Sequence, residues 1–335
     1  MAAPIVYRYD DGNAPVLDAT VGSLNNLLKK CLVEGYGDKP AAGWTLEFED
    51  VIGNKIALRN NPITGTGFFL NIVDNSTTTC SAQGYETMTG LDSYTGPFLP
   101  AAATWNKIKA NTSFAKHWAL IATDTFFHLI MYPDSNSTIP LIVERSVANL
   151  GGIFWAFFGD FIKSNDEGFN CVIGAGEVKS SYGIASAGSL YDLLRANYAG
   201  GAATGTRTGC PRGLDGLPSP KYLASPTTIH TCRTTTGYQT AEVQLGPPYS
   251  GDVLFASRRV LFETGTYTLR GFIPGVFLTG HDASGFYNMA LQTITHDART
   301  FLCVPFGGFR AGSITNDYYS GSGAFLIEIN AEWNL

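Results

Sequence analysis

The stretch GGIFWAFFGDF, residues 151–161, is apolar almost without interruption. Successive side chains of a strand point to opposite faces, so a strand apolar at every position has to be covered on both. This one segment predicts a layered molecule with a strand in its middle. The neighbouring HWALIATDTFFHLIMYPD, His117 to Asp134, has the same character and splits at Thr123-Asp124-Thr125, which predicts a hairpin of two apolar strands. Elsewhere the pattern is the ordinary alternation of a half-buried strand. GWTLEFEDV places Leu46 and Phe48 on one side, with Glu47 and Glu49 on the other, spaced for a solvated face rather than a catalytic pair. GFFLNIVD (67–74), GDVLFASRRVLFE, GTYTLRGFIPGVFL, TFLCVPFG and GAFLIEINAEW read as further strands. In the last, Phe325, Ile327 and Ile329 share one face and Leu326, Glu328 and Asn330 the other, which predicts an interior element.

Helical periodicity is confined to two places. In GSLNNLLKKCLVEGYG, Leu24, Leu27, Leu28, Cys31 and Leu32 recur at helical spacing, Ser23 is placed to cap the start, and Gly35 to stop it. Burying each Leu stabilises by roughly 1.5–3 kcal/mol, so this face should pack on a sheet. A second helix, SLYDLLRANYAGG, is expected from Ser189 to Gly201. The reading is therefore α+β and strand-dominated, with antiparallel sheets and two main helices. The 335 residues allow one large domain or two ordinary ones. The Gly, Pro and Thr of 196–238 predict a long loop or junction, which suggests an α+β lobe over 1–195 and a β-rich lobe over 239–335.

Only 15% of residues are charged, while 38 glycines and 13% aromatics lie above average, against roughly 25% charged residues in a typical soluble domain. A surface this poor in charge suits a protein partly covered by other subunits. A net charge of −6 argues against a nucleic-acid partner, which would call for a basic footprint. No charge-free apolar run is long enough to cross a bilayer as a helix, so no membrane partner is expected.

The search for chemistry returns little. Among the five histidines, His117 precedes a predicted strand and His128 lies on one, and none forms a metal-ligand spacing. His281 and Asp282 share a polar turn, but a neighbouring pair is not a triad. No nucleophile elbow or P-loop is present, and Asp10-Asp11-Gly12 and Asn165-Asp166-Glu167-Gly168 read as turns rather than calcium loops. No catalytic residue, cofactor or metal is predicted. Cys31, Cys80, Cys171, Cys210, Cys232 and Cys303 include no C-x-x-C pair. With no signal-like start in MAAPIVYRYDDG, free and mostly buried thiols are expected. Cys210 and Cys232, in the polar segment, are the candidates for a disulfide formed late. The stretch DNSTTTCSAQGYETMTGLDSYTGPF, 74–98, is too polar for a core strand and too aromatic for a linker. Tyr85 and Tyr94 there, with Tyr318 and Tyr319 near the end, sit in polar loops suited to a glycan or to a neighbouring subunit.

The segment VYRYDDGNAPVLDATVGSLNNLLKKCLVEGYGDKPAAGWTLEFED resembles the opening of virion structural proteins encoded by tailed bacteriophages and prophages. The residues that carry the likeness are Ala14, Pro15 and Leu17, Gly22 to Leu28, Cys31 to Gly37, Lys39, and Ala41 to Trp44. NKIALRN, GFFLNIVDN, GYETMTGLDSYTGPFLP, WALIATDTFFHLIM, FFGDF, LRGFIPGVFL and FLIEINAEW continue it in order, and it fades from 196 to 250. The resemblance implies a non-catalytic, multi-copy particle component, assembled in the bacterial host cytoplasm. It would sit on the head surface, the neck or collar, or the tail or baseplate. Its partners would be other virion proteins and copies of itself, with a host surface glycan as the alternative partner. On this reading 74–98 is a turn-rich surface loop.

Overall fold

The computed structural model describes residues 3–108, 115–132, 154–164, 169–177, 208–224, 231–233, 240–242, 256–263, 268–279, 291–306 and 323–333. Strand β1 (Ile5–Arg8) leads to helix α1 (Ser23–Lys29), which continues as a π-helical turn over Lys30–Glu34. A smaller sheet follows: β2 (Thr45–Asp50), β3 (Lys55–Arg59), β4 (Phe69–Val73), β5 (Thr79–Gly90), β6 (Ser93–Pro97) and β7 (Ala103–Asn106). Then come β8 (His117–Ala122), β9 (Phe126–Tyr132), β10 (Phe154–Asp160), β11 (Ile162–Lys163), β12 (Cys171–Glu177), β13 (Gly209–Arg212) and β14 (Pro218–Ala224). A separate ribbon, β15 (Thr231–Arg233) with β16 (Thr240–Glu242), precedes β17 (Ala256–Glu263), β18 (Thr268–Thr279), β19 (Thr293–His296), β20 (Arg299–Phe306) and β21 (Gly323–Glu328). The ladders are antiparallel and the chain is strand-dominated, as its alternation predicts. Only α1 and its π turn are helical among the described residues; the helix expected at Ser189–Gly201 lies outside them.

Thirteen strands form one sheet in the order β1-β8-β9-β10-β12-β13-β14-β17-β18-β21-β20-β19, with β11 paired to β18. The segment expected as a loop at 196–238 therefore supplies two of its strands, β13 and β14. The ladder passes through them, by Ile173↔Gly209 and Leu223↔Glu263, into the C-terminal strands. No boundary between lobes is drawn by this strand order. Pro211 and Pro218 are accommodated because β13 and β14 meet irregularly, with a register shift between Cys210 and Arg212.

One face of this sheet curls around a single apolar cluster. Ile121 of β8, Ile130 of β9, Trp155 and Phe157 of β10, Val172 of β12, Leu223 of β14, Val276 of β18, Leu302 of β20 and Ile327 of β21 all belong to it. The two ends of the strand order approach each other across it: Arg8 Nη1 donates to the carbonyl of Leu291, just before β19, and Val6 packs on the same cluster. The sheet is thus a roll with a packed interior. Phe325 and Ile327 face that interior, while Leu326 joins Phe277, Ile294, Phe301 and Cys303 on the opposite side. The predicted alternation of the last strand holds.

The smaller sheet and α1 cover the outside of the roll at β1 and β8–β12. Leu24, Leu27, Leu28, Cys31 and Leu32 of the helical stretch, Ile56, Leu58, Leu70 and Ile72 of the small sheet, and Trp118, Leu120, Phe127, Leu129, Phe154 and Phe158 of the roll form a second core. Strands β8, β9 and β10 lie between the two cores, and every residue in them is buried. This double covering is why GGIFWAFFGDF is apolar on both faces.

Two local details depart from the pattern. Ser23 does not cap α1: its hydroxyl donates to the carbonyl of Asp18, at 2.9 Å. The cap comes from Asp74, whose Oδ2 accepts from Leu24 N at 2.9 Å and Asn25 N at 3.4 Å. A bulge between Leu46 and Phe48 of β2 also breaks the expected pairing of their side chains. Leu46 faces the second core and Phe48 the opposite face of the small sheet. One extra residue reverses every side chain after it.

Candidate functional site

The segment 74–98, expected as a surface loop, is instead the 12-residue strand β5 followed by β6. Threonine and tyrosine fit a pleated surface as well as aliphatics do, and the alternation was hidden by the partial exposure of the strand. Up to Tyr85 it pairs with β4, and Ser81 and Ala82 also face β7. Beyond Tyr85 it leaves β4 and pairs with β6 alone. The hairpin then folds back over its own sheet: Leu91 O accepts from Asn71 Nδ2 at 3.3 Å, and Asp92 meets Lys55 at 3.3 Å. Met88 and Leu91 cover Ala57, Phe69 and Tyr85. Gly84 permits the close approach needed at the bend, since a Cβ there would lie 2.6 Å from the ring of Phe98.

Tyr85 is therefore a buried residue and not a platform. Tyr94 is 49% exposed, and its ring stacks on Tyr85 at 4.0 Å between centroids. One face of Tyr94 is fixed from behind and the rest is presented to solvent. Thr87 with Thr95, and Thr89 with Ser93, link hydroxyls across the same hairpin. Tyr318 and Tyr319 lie outside the described residues.

Among the described residues, the most exposed apolar side chains lie elsewhere, in turns that no motif marks. Ile52 is 94% exposed, Val51 75% and Ile63 91%. Both turns are built firmly. Asp50 Oδ1 accepts from the backbone N–H of Ile52 and Gly53, at 3.1 and 2.9 Å. Asn61 Oδ1 accepts from Ile63 N at 2.9 Å. The turn around Ile63 is further tied to the roll by Asp124, which accepts from Asn61 Nδ2 at 3.2 Å and from Thr64 Oγ1. Asp160 also holds it, accepting from Thr66 N at 2.7 Å, Thr66 Oγ1 at 2.6 Å and Asn60 Nδ2 at 3.0 Å. Burial pushes the Asp160 carboxyl upward against those hydrogen bonds. These turns lie at opposite ends of β3.

The titratable groups singled out from the sequence are packed rather than poised. His128 is buried inside the roll, where Nδ1 accepts from Trp155 Nε1 at 3.3 Å and Nε2 donates to Pro274 O at 2.8 Å. Burial lowers its pKa to about 3, with the Pro274 carbonyl opposing, so the ring is neutral. His117 is buried at the start of β8, stacked on Tyr9 at 4.1 Å, and burial lowers it too. Cys31, Cys80, Cys171 and Cys210 are free and buried, and Cys303 is buried. Burial raises the thiols of the first three, and that of Cys210 to about 11, which disfavours the reactive thiolate. Cys210 does not lie in a polar loop: it is a core residue of β13. The side chain of Cys232 is outside the described residues, as are His230, His281, Asp282 and the turn at 165–168. Among the described residues no group of three His, Cys, Asp or Glu is placed to hold a metal, and no helix is long and apolar enough to cross a membrane.

Among the described residues two buried charge pairs escaped the sequence reading, Arg270 with Glu263 at 2.8 Å and, more deeply buried, Lys107 with Asp74. Lys107 Nζ lies 2.5 Å from Asp74 Oδ1, with both side chains wholly inaccessible, and also donates to Thr20 O at 2.9 Å. Nothing in NIVDN or TWNKIK distinguishes these two residues from surface ones. No known family matches the chain, and no curated protein does.

Proposed function

We propose that this protein is a non-catalytic structural component of a tailed-phage virion. It acts in many copies through contacts with its own kind and with other virion proteins on the head surface, neck or tail. The observation that carries the reading is the placement of apolar side chains. Val51, Ile52 and Ile63 project from turns fixed by Asp50, Asn61, Asp124 and Asp160. Rigid exposed apolar tips cost solubility in a free monomer and suit a surface that becomes covered. The low charge of the chain and the resemblance that runs in order along about two thirds of it support the same conclusion. Mass spectrometry of gradient-purified particles from the encoding phage tests it: the chain should be present in multiple copies, and its absence defeats the proposal.

Tyr94 favours a second reading, a host-glycan-binding module on the same particle. A ring braced by Tyr85 presents one flat face to which a sugar could stack. Isolated protein should then bind cell-surface polysaccharide, and Tyr94→Ala should abolish that binding.

A further inference from the structure

The pair Lys107–Asp74 has a chemistry available that its hydrogen bonds do not exhaust. We propose that the Lys107 amine and the Asp74 carboxyl condense within the folded chain to an isopeptide bond, tying the end of β4 to the end of β7 beside the start of α1.

The geometry supplies what the condensation needs. Nζ lies 2.5 Å from Oδ1 in a site where both side chains have no accessible surface, so the reactants are held together without intervening water. Oδ2 is held by the backbone N–H groups of Leu24 and Asn25, at 2.9 and 3.4 Å. They remain in place to stabilise the negative charge that Oδ2 takes up as the tetrahedral intermediate forms. Thr20 O, 2.9 Å from Nζ, accepts from the amine and orients it.

The atoms balance without any co-reactant. The Nζ–Cγ bond forms and the Cγ–Oδ1 bond breaks. One ammonium proton first passes from Nζ to Oδ1, which gives the neutral amine and the neutral acid. Oδ1 then leaves as water with that proton and a second one from nitrogen, and the third remains on the amide nitrogen. Burial raises the Asp74 carboxyl, with Lys107 and the two backbone N–H groups opposing, which favours the neutral acid as the electrophile. A charged pair in a water-free site also carries a desolvation cost that the neutral amide does not. Trp105 and Cys80, both buried in the same core, belong to the wall that keeps out the water needed for the reverse reaction.

Intact mass of the denatured, full-length protein is the test. The expected result is a chain lighter by one water than its sequence, rising to the full sequence mass in Lys107→Arg. Digestion separates this bond from a cyclic imide formed at Asp74 alone. Trypsin, which cuts after Arg59, should fail to cut after Lys107. It should release residues 60–109 as one peptide lacking a water, and chymotryptic cuts between Asp74 and Lys107 should leave the two pieces joined. A full-mass wild-type chain that trypsin cleaves at Lys107, unchanged after prolonged incubation of the folded protein, overturns the proposal. So does water loss that persists in Lys107→Arg.

Discussion

The interior of the roll and the junction between the two sheets are equally dry, yet they are held by different means. The roll is filled mainly by aromatic and aliphatic side chains, with the neutral ring of His128 held between Trp155 and Pro274 and a buried ion pair, Arg270 with Glu263, in β18 and β17. The junction has a comparable apolar core, but carboxylates are set into it: Asp74 at the head of α1 and Asp160 beneath the turn at 60–67. Apolar packing is non-directional and tolerates sliding, whereas a buried carboxylate is satisfied in one arrangement only. The comparison teaches that the roll depends on shape and the junction on register. Removing a polar partner should hurt the junction as much as removing a large ring hurts the roll.

The sharpest test sets one substitution in each region. Lys107→Ala leaves the Asp74 carboxyl buried without its partner and should destabilise by about 3–5 kcal/mol. Phe157→Ala, inside the roll, should cost a similar ~3–5 kcal/mol through the cavity it leaves. Chemical denaturation of both variants checks this; a mild Lys107→Ala would show that the junction is held by its apolar contacts alone.

Next in size is the response to acid. The His128 pKa of about 3 lies below its ordinary value, so the unfolded chain binds a proton that the folded one refuses. The roll should be at full stability above pH ~6.5 and lose about 1.4 kcal/mol per pH unit as pH falls from there toward the folded pKa. Melting profiles of wild type and His128→Asn isolate this contribution: the difference between them should shrink as the medium is acidified. Parallel profiles would place water beside the ring and break the contrast with the junction.

A smaller effect is expected at the turn carrying Ile63. Thr66→Val removes a hydroxyl from Asp160 while keeping the backbone hydrogen bond, and should cost about 1–3 kcal/mol. Hydrogen exchange should rise at 60–67 and not in β8–β10. The smallest belongs to the hairpin arch. Lys55→Ala breaks an ion pair whose Asp92 side chain is 86% exposed, and stability should change by less than about 1 kcal/mol. A larger loss would mean that the arch over Phe69 and Tyr85 depends on that pair.

The elements legible in the sequence are those whose environment is uniform along their length. GGIFWAFFGDF and the hairpin at His117–Tyr132 are apolar at nearly every position because a core lies on each side. The five apolar positions of α1 and its π turn, and the alternation of β21, were legible for the same reason. Illegible features arise where a residue's partner is distant in the chain. Asp74 caps a helix whose second residue, Leu24, lies 50 positions earlier, so Ser23 was the plausible local choice. The bulge in β2 separates Leu46 from Phe48 through one residue of register, which no pattern encodes. Polar β5 reads as a loop because half of it is covered only when its own hairpin folds back.

Sequence by itself determined that this chain is strand-dominated, that its middle strands are covered on both faces, and that its helix buries Cys31 with four leucines. These follow from side-chain transfer free energies and the periods of helix and strand, which are local properties. Only the tertiary structure decided that the strands roll around one core and that 209–224 continues the sheet. It alone brought Asp74 to Lys107 and exposed Ile52 and Ile63. Those outcomes depend on which distant segments meet, and apolar burial rewards many such meetings almost equally. The choice among them falls to buried polar groups, bulges and turns, which act only once the chain has brought them together.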